Sequence, residues 1–339
     1  MFRIIRLIPI LFCLLAVTLA TVWGCLALWY HGPLTEQNKL FAIAGFAVFG
    51  LIVAIALFTR RRIGALGLFG LGLAALLFWW NGIAPPTERN WSPDVARQVT
   101  GRIEGDILTL DNLRNFDWTG PDDAIPRWET RSYDLNELQT VDMFLSYWAG
   151  PLMAHFIVSF GFADGEQLAW SVEVRREVGG AFSPLADAFK SNTLVIVAAD
   201  ERDVVGVRSN LRNEDVQLFR LAADPQVARA LLTEYVRDAN ALSQRPEFYN
   251  SITTNCTTVV VRMMRAIGDG LPLDWRLLAN GYLPDYAYDQ QALDMRYSLS
   301  DLRALGRIDR RAKAHGLEPG FSEAIRRDVP QPQPGPSGS

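Results

Sequence analysis

Cysteine and histidine are scarce in this chain, and their positions indicate one chemistry. Of three cysteines, Cys13 and Cys25 lie in an apolar N-terminal stretch, so Cys256 is the only thiol in the polar remainder. Of three histidines, only His155 opens a strand-like segment. A thiol at a helix start and an imidazole on a strand are the minimal parts of a cysteine nucleophile and its base. These residues therefore predict thiol chemistry.

The surroundings of Cys256 favour an ionised thiol. The segment 254–267 is predicted to form a helix that is capped by Thr253 or Thr254 and stopped by Gly268. The dipole and the unpaired N–H groups of a helix N-terminus favour the thiolate, so they lower the pKa of a cysteine placed there. A free cysteine can instead be buried as a small hydrophobe, but the neighbours of Cys256 are polar.

A predicted hairpin supplies a third group that can orient the imidazole. The runs 154–162 and 167–175 are strand candidates joined by a turn, and their register places the cross-strand partners of His155 in the second half of the second run. Glu173 is therefore the predicted orienting residue, with Ser171 as the reserve. The competing interpretations are a satisfied core histidine at His155 and a solvated surface carboxylate at Glu173.

Three apolar stretches near the start of the chain, at 7–30, 41–58 and 63–80, have the length of membrane spans. A spanning helix needs roughly 20 apolar residues, and about 17 are tolerated. The first stretch exceeds the apolar core of a signal peptide, which is roughly 7–15 residues long, and this favours an uncleaved span over a cleaved leader. Residues 1–81 are therefore predicted to form a three-span membrane anchor.

Arginines set the predicted orientation of this anchor. Arg3 and Arg6 precede the first span, and residues 60–62, all arginines, separate the second span from the third. Positive charge stays on the cytoplasmic side, so both groups face the cytoplasm and everything after Asn81 lies outside it. The predicted location is a bacterial inner membrane, with the C-terminal domain in the periplasm and the lipid bilayer as a partner.

Charge and ligand content exclude several kinds of partner. Residues 1–81 hold six of the 33 basic and one of the 37 acidic residues, which leaves a net charge of −9 for residues 82–339. An acidic domain is a poor partner for nucleic acid or for anionic lipid headgroups. One thiol and one imidazole about a hundred residues apart fall short of the four ligands of a structural zinc site. No nucleic acid, no metal and no cofactor is therefore predicted.

The polar remainder begins with strands and continues with helices, which is an α+β layout. We predict a linker at 82–98, one periplasmic domain at 99–328 and a disordered proline-rich tail at 329–339. The other predicted elements are a hairpin at 99–110, strands at 140–148, 193–199, 204–207 and 216–222, and helices at 224–242 and 300–314.

Several ordered motifs in this domain resemble the family of bacterial Lnb-type periplasmic domains, which is named for a lipoprotein N-acyltransferase. The motifs are Leu113-Arg114-Asn115-Phe116, the runs 154–162 and 171–177, Asp200-Glu201-Arg202-Asp203, Phe248-Tyr249-Asn250 and Thr254-Asn255-Cys256-Thr257-Thr258. Together they cover roughly 91–267. The named acyltransferase carries its membrane part after the periplasmic domain, whereas the predicted spans precede the domain in this chain.

The family in turn resembles circularly permuted papain-like enzymes of the NlpC type, in which the histidine strand precedes the cysteine helix. This chain has that order. The resemblance therefore implies a permuted papain-like fold with Cys256 as nucleophile, His155 as base and Glu173 as orienting residue. The supporting site residues are Asn255, Ser171 and Tyr249.

Three functions remain open on these grounds. The first is acyl transfer or hydrolysis through a thioester on Cys256, with a membrane lipid or a lipoprotein as substrate; lipoprotein N-acylation is one such reaction. The second is a cell-wall cysteine peptidase or amidase that uses the same residues on a peptide carbonyl. The third is a non-catalytic, membrane-tethered binding module, which an unreactive Cys256 would favour.

Overall fold

The computed structural model describes residues 2–32, 35–148, 150–267, 272 and 274–332. The chain divides into two compact units. One unit is Met1–Pro86 with Ser183–Ser191, and the other is Thr87–Phe182 with Asn192–Ser339. The first unit contains the long apolar helices, and the second contains the sheet and all the predicted site residues.

Long apolar helices make up most of the first unit. They are α1 Phe2–His31, α2 Glu36–Ala56 and α3 Arg62–Asn81, and a short helix, α4 Pro184–Ala188, belongs to the same unit. Small residues let the long helices approach closely, because a Cβ at Gly50 would collide with Thr21. All three are long and apolar enough to cross a membrane. The three predicted spans are thus confirmed as helices of spanning length and composition.

The second unit is built on an eight-stranded mixed sheet, counted over its described residues. The strands in chain order are β1 Thr100–Glu104, β2 Ile107–Arg114, β3 Asp117–Trp118, β4 Ala124–Ile125, β5 Trp128–Asp134, β6 Leu138–Tyr147, β7 Ala154–Phe162, β8 Gln167–Arg175, β9 Thr193–Ala199 and β10 Asp215–Arg220. The order across the sheet is β1-β2-β9-β8-β7-β6-β10, β5 also pairs with β2, and β3 pairs with β4 separately. Only the β2–β9 pairing is parallel among these described strands. The predicted hairpin of β7 and β8 is present with its predicted bounds.

Helices cover both faces of this sheet. They are α5 Glu201–Val204, α6 Pro225–Gln244, α7 Cys256–Ile267, α8 Leu283–Asp289, α9 Leu299–Gly306, α10 Asp309–His315 and α11 Phe321–Arg326. Successive residues of a strand point to opposite faces, so Leu168 and Trp170 join the apolar cluster of α6 and α7, whereas Ala169 joins that of α10 and α11. One sheet between two helix layers confirms the mixed α+β layout.

One predicted strand, at 204–207, is wrong. The segment is helical, because α5 ends at Val204 and a π-helical turn follows at Val207–Leu211. Valine is β-branched, which favours strands mainly because such side chains pack well on a half-buried sheet. Here Val204 and Val205 are fully buried beside α10 and α11. The helical geometry therefore provides the same burial, and the local propensity is overridden.

The predicted helix at 300–314 is two helices, α9 and α10, because the chain between them pairs with β10. The Ile308 N–H donates to the Val216 carbonyl at 3.0 Å, which takes this N–H out of a helix. Gly306 allows the close approach, since a Cβ there would lie 2.5 Å from the carbonyl oxygen of Leu218. A pairing with a distant strand cannot be predicted from the local pattern of residues.

The second unit extends beyond the limits predicted for the periplasmic domain. It begins at Thr87, within the predicted linker 82–98, and Val95 is buried in the cluster of α10 and α11. At the other end Val329, the first residue of the predicted disordered tail, is buried in the same cluster. Residues 333–339 of that predicted tail fall outside the described residues, as does the predicted helix stop at Gly268.

Candidate catalytic site

The helix that carries the thiol begins at the thiol itself. α7 starts at Cys256, and Asn255 Oδ1 accepts the N–H groups of Thr257 at 2.9 Å and of Thr258 at 3.0 Å. Asparagine is among the best residues for this capping role. The cap is therefore Asn255, and the prediction of Thr253 or Thr254 as cap is wrong. Asn255 fixes the point at which the helix dipole begins to act on the thiol.

The strand β7 delivers the imidazole. His155 is its second residue, and the ring Nε2 lies 2.7 Å from Ser171 Oγ and 3.2 Å from Glu173 Oε1. The imidazole and the Cys256 thiol also interact, because His155 lowers the pKa of the thiol and the thiol raises the pKa of His155. The structure thus brings together the three residues predicted as catalytic and Ser171, the predicted reserve.

The register of the hairpin explains why its three polar groups meet. Ile157 pairs with Ser171 in the β7–β8 ladder. His155 stands two residues before Ile157 and Glu173 two residues after Ser171, so all three polar side chains lie on one face of the sheet. The thiol comes from α7, which covers the opposite face. The two sets of residues meet where β7 begins.

A buried arginine holds the orienting carboxylate. Arg208, in the π-helical turn, donates from Nη2 to Glu173 Oε1 at 2.9 Å and from Nη1 to the Val204 carbonyl at 2.6 Å. Ser171 Oγ donates to the same carboxylate oxygen at 2.7 Å. Burial raises the pKa of Glu173, but the charges of His155 and Arg208 hold it well below its usual range. The carboxylate is therefore ionised at neutral pH.

The electrostatics of the site favour a thiolate–imidazolium pair. Burial raises the pKa of Cys256, but the hydrogen bond and charge of His155, with bonds from the Phe156 N–H and the Thr257 hydroxyl, bring it below its ordinary value. Burial lowers the pKa of His155, but the charge of Glu173 and the bond to the thiol more than offset this and raise it to about 9. The ion pair therefore exists at pH values between the lowered pKa of the thiol and about 9, the pKa of His155.

Two buried residues at the site are absent from the sequence-based predictions. Arg208 holds the carboxylate, and Asn280 places its Nδ2 3.6 Å from Cys256 Sγ and 3.0 Å from Thr257 Oγ1. Each stands in a short helical turn, the π-helical turn for Arg208 and Asn280–Tyr282 for the asparagine. A single polar residue in such a turn produces no periodic pattern, so no feature of the sequence distinguishes it.

Tyr249, the remaining predicted supporting residue, lies in the apolar core. It is buried in the apolar cluster of α6 and α7. Its N–H donates to the Asn192 carbonyl at 3.0 Å, and its ring centroid lies 6.4 Å from that of Phe182. These contacts give Tyr249 a packing position beside the site.

The fold and the site define an α+β protein with a largely buried cysteine–histidine–glutamate cluster. Residues 124–281 match the family model described as the Lnb N-terminal periplasmic domain. This match confirms the family resemblance predicted from the sequence, and the matched segment contains the whole cluster. It begins after the Leu113–Phe116 motif and extends past 267 to include Asn280. The matched segment therefore starts and ends later than the predicted range, 91–267.

No curated protein and no solved structure matches the chain. The family match and the three apolar helices together fit a membrane-anchored periplasmic protein. Within the described residues, no group of three or more His, Cys, Asp or Glu side chains is placed to hold a metal ion.

The charge of Glu173 sets the pH range of the ion pair, and its removal is testable. In Glu173→Gln we expect the pKa of His155 to fall from about 9, because burial and the charge of Arg208 then act without the opposing carboxylate. The imidazolium helps to lower the thiol pKa, so Cys256 should alkylate at higher pH than in the wild type. The measurement is the rate at which iodoacetamide alkylates Cys256, taken about every half pH unit from pH 5 to pH 10.

The matched control is Glu177→Gln. Glu177 follows β8 directly, and its exposed carboxylate pairs with Arg89. It should leave the alkylation profile unchanged. A profile that moves equally in both variants would contradict a specific role for Glu173.

Proposed function

We propose that the protein is a cysteine acyltransferase or hydrolase, anchored in a bacterial inner membrane, that acts through a thioester on Cys256. The observation that carries this proposal is the largely buried Cys256–His155–Glu173 cluster at the start of a helix. A helix start, an imidazole and an orienting carboxylate are the three aids that turn a weak thiol into a nucleophile. The arrangement of a histidine strand before a cysteine helix is consistent with a permuted papain-like enzyme.

The proposed reaction has two balanced steps. The Cys256 thiolate adds to an ester carbonyl, the C–O bond breaks, and the imidazolium of His155 gives its proton to the departing alcohol, which leaves an acyl thioester. An amine, or water, then loses a proton to the neutral imidazole as it attacks the thioester, and the C–S bond breaks to restore the thiolate. Activity should therefore rise through the lowered thiol pKa and fall through the His155 pKa of about 9.

The first turn of α7 offers a donor for the oxyanion that forms in each step. Asn255 Oδ1 takes the N–H groups of Thr257 and Thr258. Among the described residues no acceptor contacts the N–H of Cys256, so this N–H can bond to the substrate oxygen. Backbone N–H groups aimed at the position of the developing charge are the usual form of such stabilisation. The cap thus supports the thiol chemistry in two ways, through the position of the dipole and through the free first N–H.

Exposed apolar side chains in the segments that lead to the site support an acyl substrate. Leu152, Ile252 and Leu278 are 57%, 63% and 65% exposed, and each lies in a segment that leads to a residue of the site. Leu152 stands three residues before His155, and Ile252 stands four before Cys256. Exposed apolar side chains mark contacts with other molecules where they form a contiguous patch. A fatty acyl chain gains from such a surface, whereas a polar cell-wall peptide does not.

A groove beside α7 adds to this argument. It has a volume of about 550 Å³, and most of its exposed wall is apolar, from Val261, Trp275, Leu277 and Leu278, although Arg262, Arg265 and Asp274 line it too. Thr258, two residues after the thiol, also lines it. Ligand pockets have volumes of roughly 300–1,000 Å³ and mostly apolar walls, so this groove is large enough for part of an acyl chain.

The proposal is tested by the group found on the thiol. Wild-type protein isolated from membranes should carry a fatty acyl adduct on Cys256 that neutral hydroxylamine releases. Cys256→Ser should lose the adduct and keep the fold, because the hydroxyl has a similar size but is far harder to ionise. The measurement is the intact mass and the peptide mass of both proteins.

The control variant is Cys25→Ser, which removes another thiol and should keep the adduct. A peptide fragment on Cys256 in place of a fatty acyl group would identify a cell-wall peptidase or amidase. A bare Cys256 that also labels no faster than denatured protein would favour the binding module.

A further inference from the structure

Asn280 makes an unusual set of contacts at the junction of β7 and α7. Its Oδ1 accepts the Ala154 N–H at 2.9 Å, and its Nδ2 donates to the Ala154 carbonyl at 2.6 Å. The same Nδ2 lies 3.0 Å from Thr257 Oγ1 and 3.6 Å from Cys256 Sγ. One buried amide therefore joins the residue before the imidazole to the thiol and to the residue after it.

The reciprocal pair with Ala154 holds the amide plane. Both backbone groups of Ala154 bond to one side chain, so the amide cannot rotate without the loss of two hydrogen bonds at a buried position. A buried polar group that loses its partner destabilises the fold, which makes such a pair rigid. With its plane fixed by β7, Asn280 presents its second amide hydrogen to α7.

The hydrogen count decides which role Asn280 can have. An amide nitrogen carries two hydrogens, and the two shortest contacts of Nδ2, to Ala154 and to Thr257, use both of them. Neither hydrogen is left for a substrate oxygen, so Asn280 does not belong to the oxyanion site. Its contacts lie on the protein groups that carry the reacting atoms.

We infer that Asn280 is a positioning residue that fixes the start of α7 against the start of β7, and thereby sets the distance between the Cys256 thiol and the His155 imidazole. The inference rests on the proposed function, because the distance matters only if the two groups react as a pair. Asn280 acts through Ala154 on one side and Thr257 on the other. Its removal should therefore change the ionisation of the thiol without direct loss of any group that bonds to the imidazole.

The chain contains a matched control for this device. Asn240, on α6, makes the same reciprocal pair with Gly101 of β1, where Oδ1 accepts the N–H at 3.0 Å and Nδ2 donates to the carbonyl at 2.7 Å. None of these contacts involves the thiol, the imidazole or their partners. Asn240→Ala therefore removes an equivalent helix–strand bond and reports the general cost to the fold.

The experiment compares alkylation profiles in the full chain. Cys13→Ser and Cys25→Ser leave Cys256 as the single thiol, and iodoacetamide rates are measured from pH 5 to pH 10 for this background, for Asn280→Ala, for Asn280→Asp and for Asn240→Ala. We expect Asn280→Ala to move the midpoint upward by about one pH unit, a tenfold loss of rate at low pH. Asn240→Ala should keep the background midpoint even if its melting temperature falls.

Asn280→Asp decides the matter if the alanine variant does not fold. The carboxylate has the size of the amide and still accepts the Ala154 N–H, but it cannot donate and it places a negative charge beside the thiolate. Its midpoint should therefore move upward at least as far. An unchanged midpoint in the folded Asn280 variants, beside a background protein with a low midpoint, overturns this inference alone. A background midpoint near that of a free thiol, about 8.5, overturns the proposed function as well.

Discussion

Replacement of His155 by alanine should slow the alkylation of Cys256 at pH 6 by at least about tenfold. A one-unit rise in pKa lowers the thiolate fraction about tenfold at any pH well below the pKa. The hydrogen bond and charge of His155 are the main effects that lower the thiol pKa, and burial raises it. Without the imidazole, burial acts against fewer opposing groups, so the thiol should ionise only at high pH.

The measurement is the rate of adduct formation with iodoacetamide at pH 6, taken beside the rate of denatured protein at the same pH. His315→Ala is the control, because His315 is only half-buried and bonds only to a nearby backbone carbonyl, that of Pro319, in the described structure. It should react like the wild type. Equal rates in His155→Ala and wild type would show that the imidazole does not stabilise the thiolate, and the enzyme would be abandoned for the binding module.

The core of this site could be inferred from local features of the sequence. A strand has a period of two, so a hairpin with a known turn places Glu173 near His155 without any knowledge of the rest of the fold. The helix start at Cys256 follows from a polar run before an apolar segment. Both inferences need only short stretches of chain, and the structure brings these residues together.

The remaining site residues depend on contacts between distant segments. Arg208 reaches Glu173 from a π-helical turn 35 residues away, and Asn280 reaches Ala154 across 126 residues. No local pattern specifies such contacts. The same limit explains the two errors in the fold, since the helicity of 204–207 and the break at Ile308 are both set by packing against other elements.

The acidic motif at 200–203 shows that a family motif can be structural. Glu201 accepts from Ser159 Oγ at 2.6 Å and pairs with Arg326 of α11. Asp203 Oδ2 accepts the Phe116 N–H at 2.8 Å, and its Oδ1 accepts the Trp118 indole N–H at 2.7 Å. These contacts attach α5 to the strands and to α11.

Within this motif, Asp203→Ala should be strongly destabilising. Asp203 and its partner Arg114 have side chains that are 0% and 3% exposed, and the guanidinium Nη2 lies 2.9 Å from Oδ1. The substitution leaves a buried positive charge without its carboxylate, together with one backbone and one indole N–H without an acceptor. Loss of one partner of a buried ion pair costs about 3–5 kcal/mol of unfolding free energy. The melting temperature of the second unit should therefore fall by on the order of 10 °C.

The measurement is thermal unfolding of the full chain in detergent, followed by tryptophan fluorescence, which reports on the buried Trp170 of the second unit. Asp117→Ala is the matched control, because Asp117 also pairs with arginines, at 2.7 Å to Arg202 and 3.3 Å to Arg127, but is 43% exposed. Exposed pairs contribute only about 0–1 kcal/mol, because water screens them and solvates each partner when the other is removed. If the two variants melt at the same temperature, the Arg114–Asp203 pair does not act as a buried ion pair, and the attachment of α5 must come from its apolar contacts.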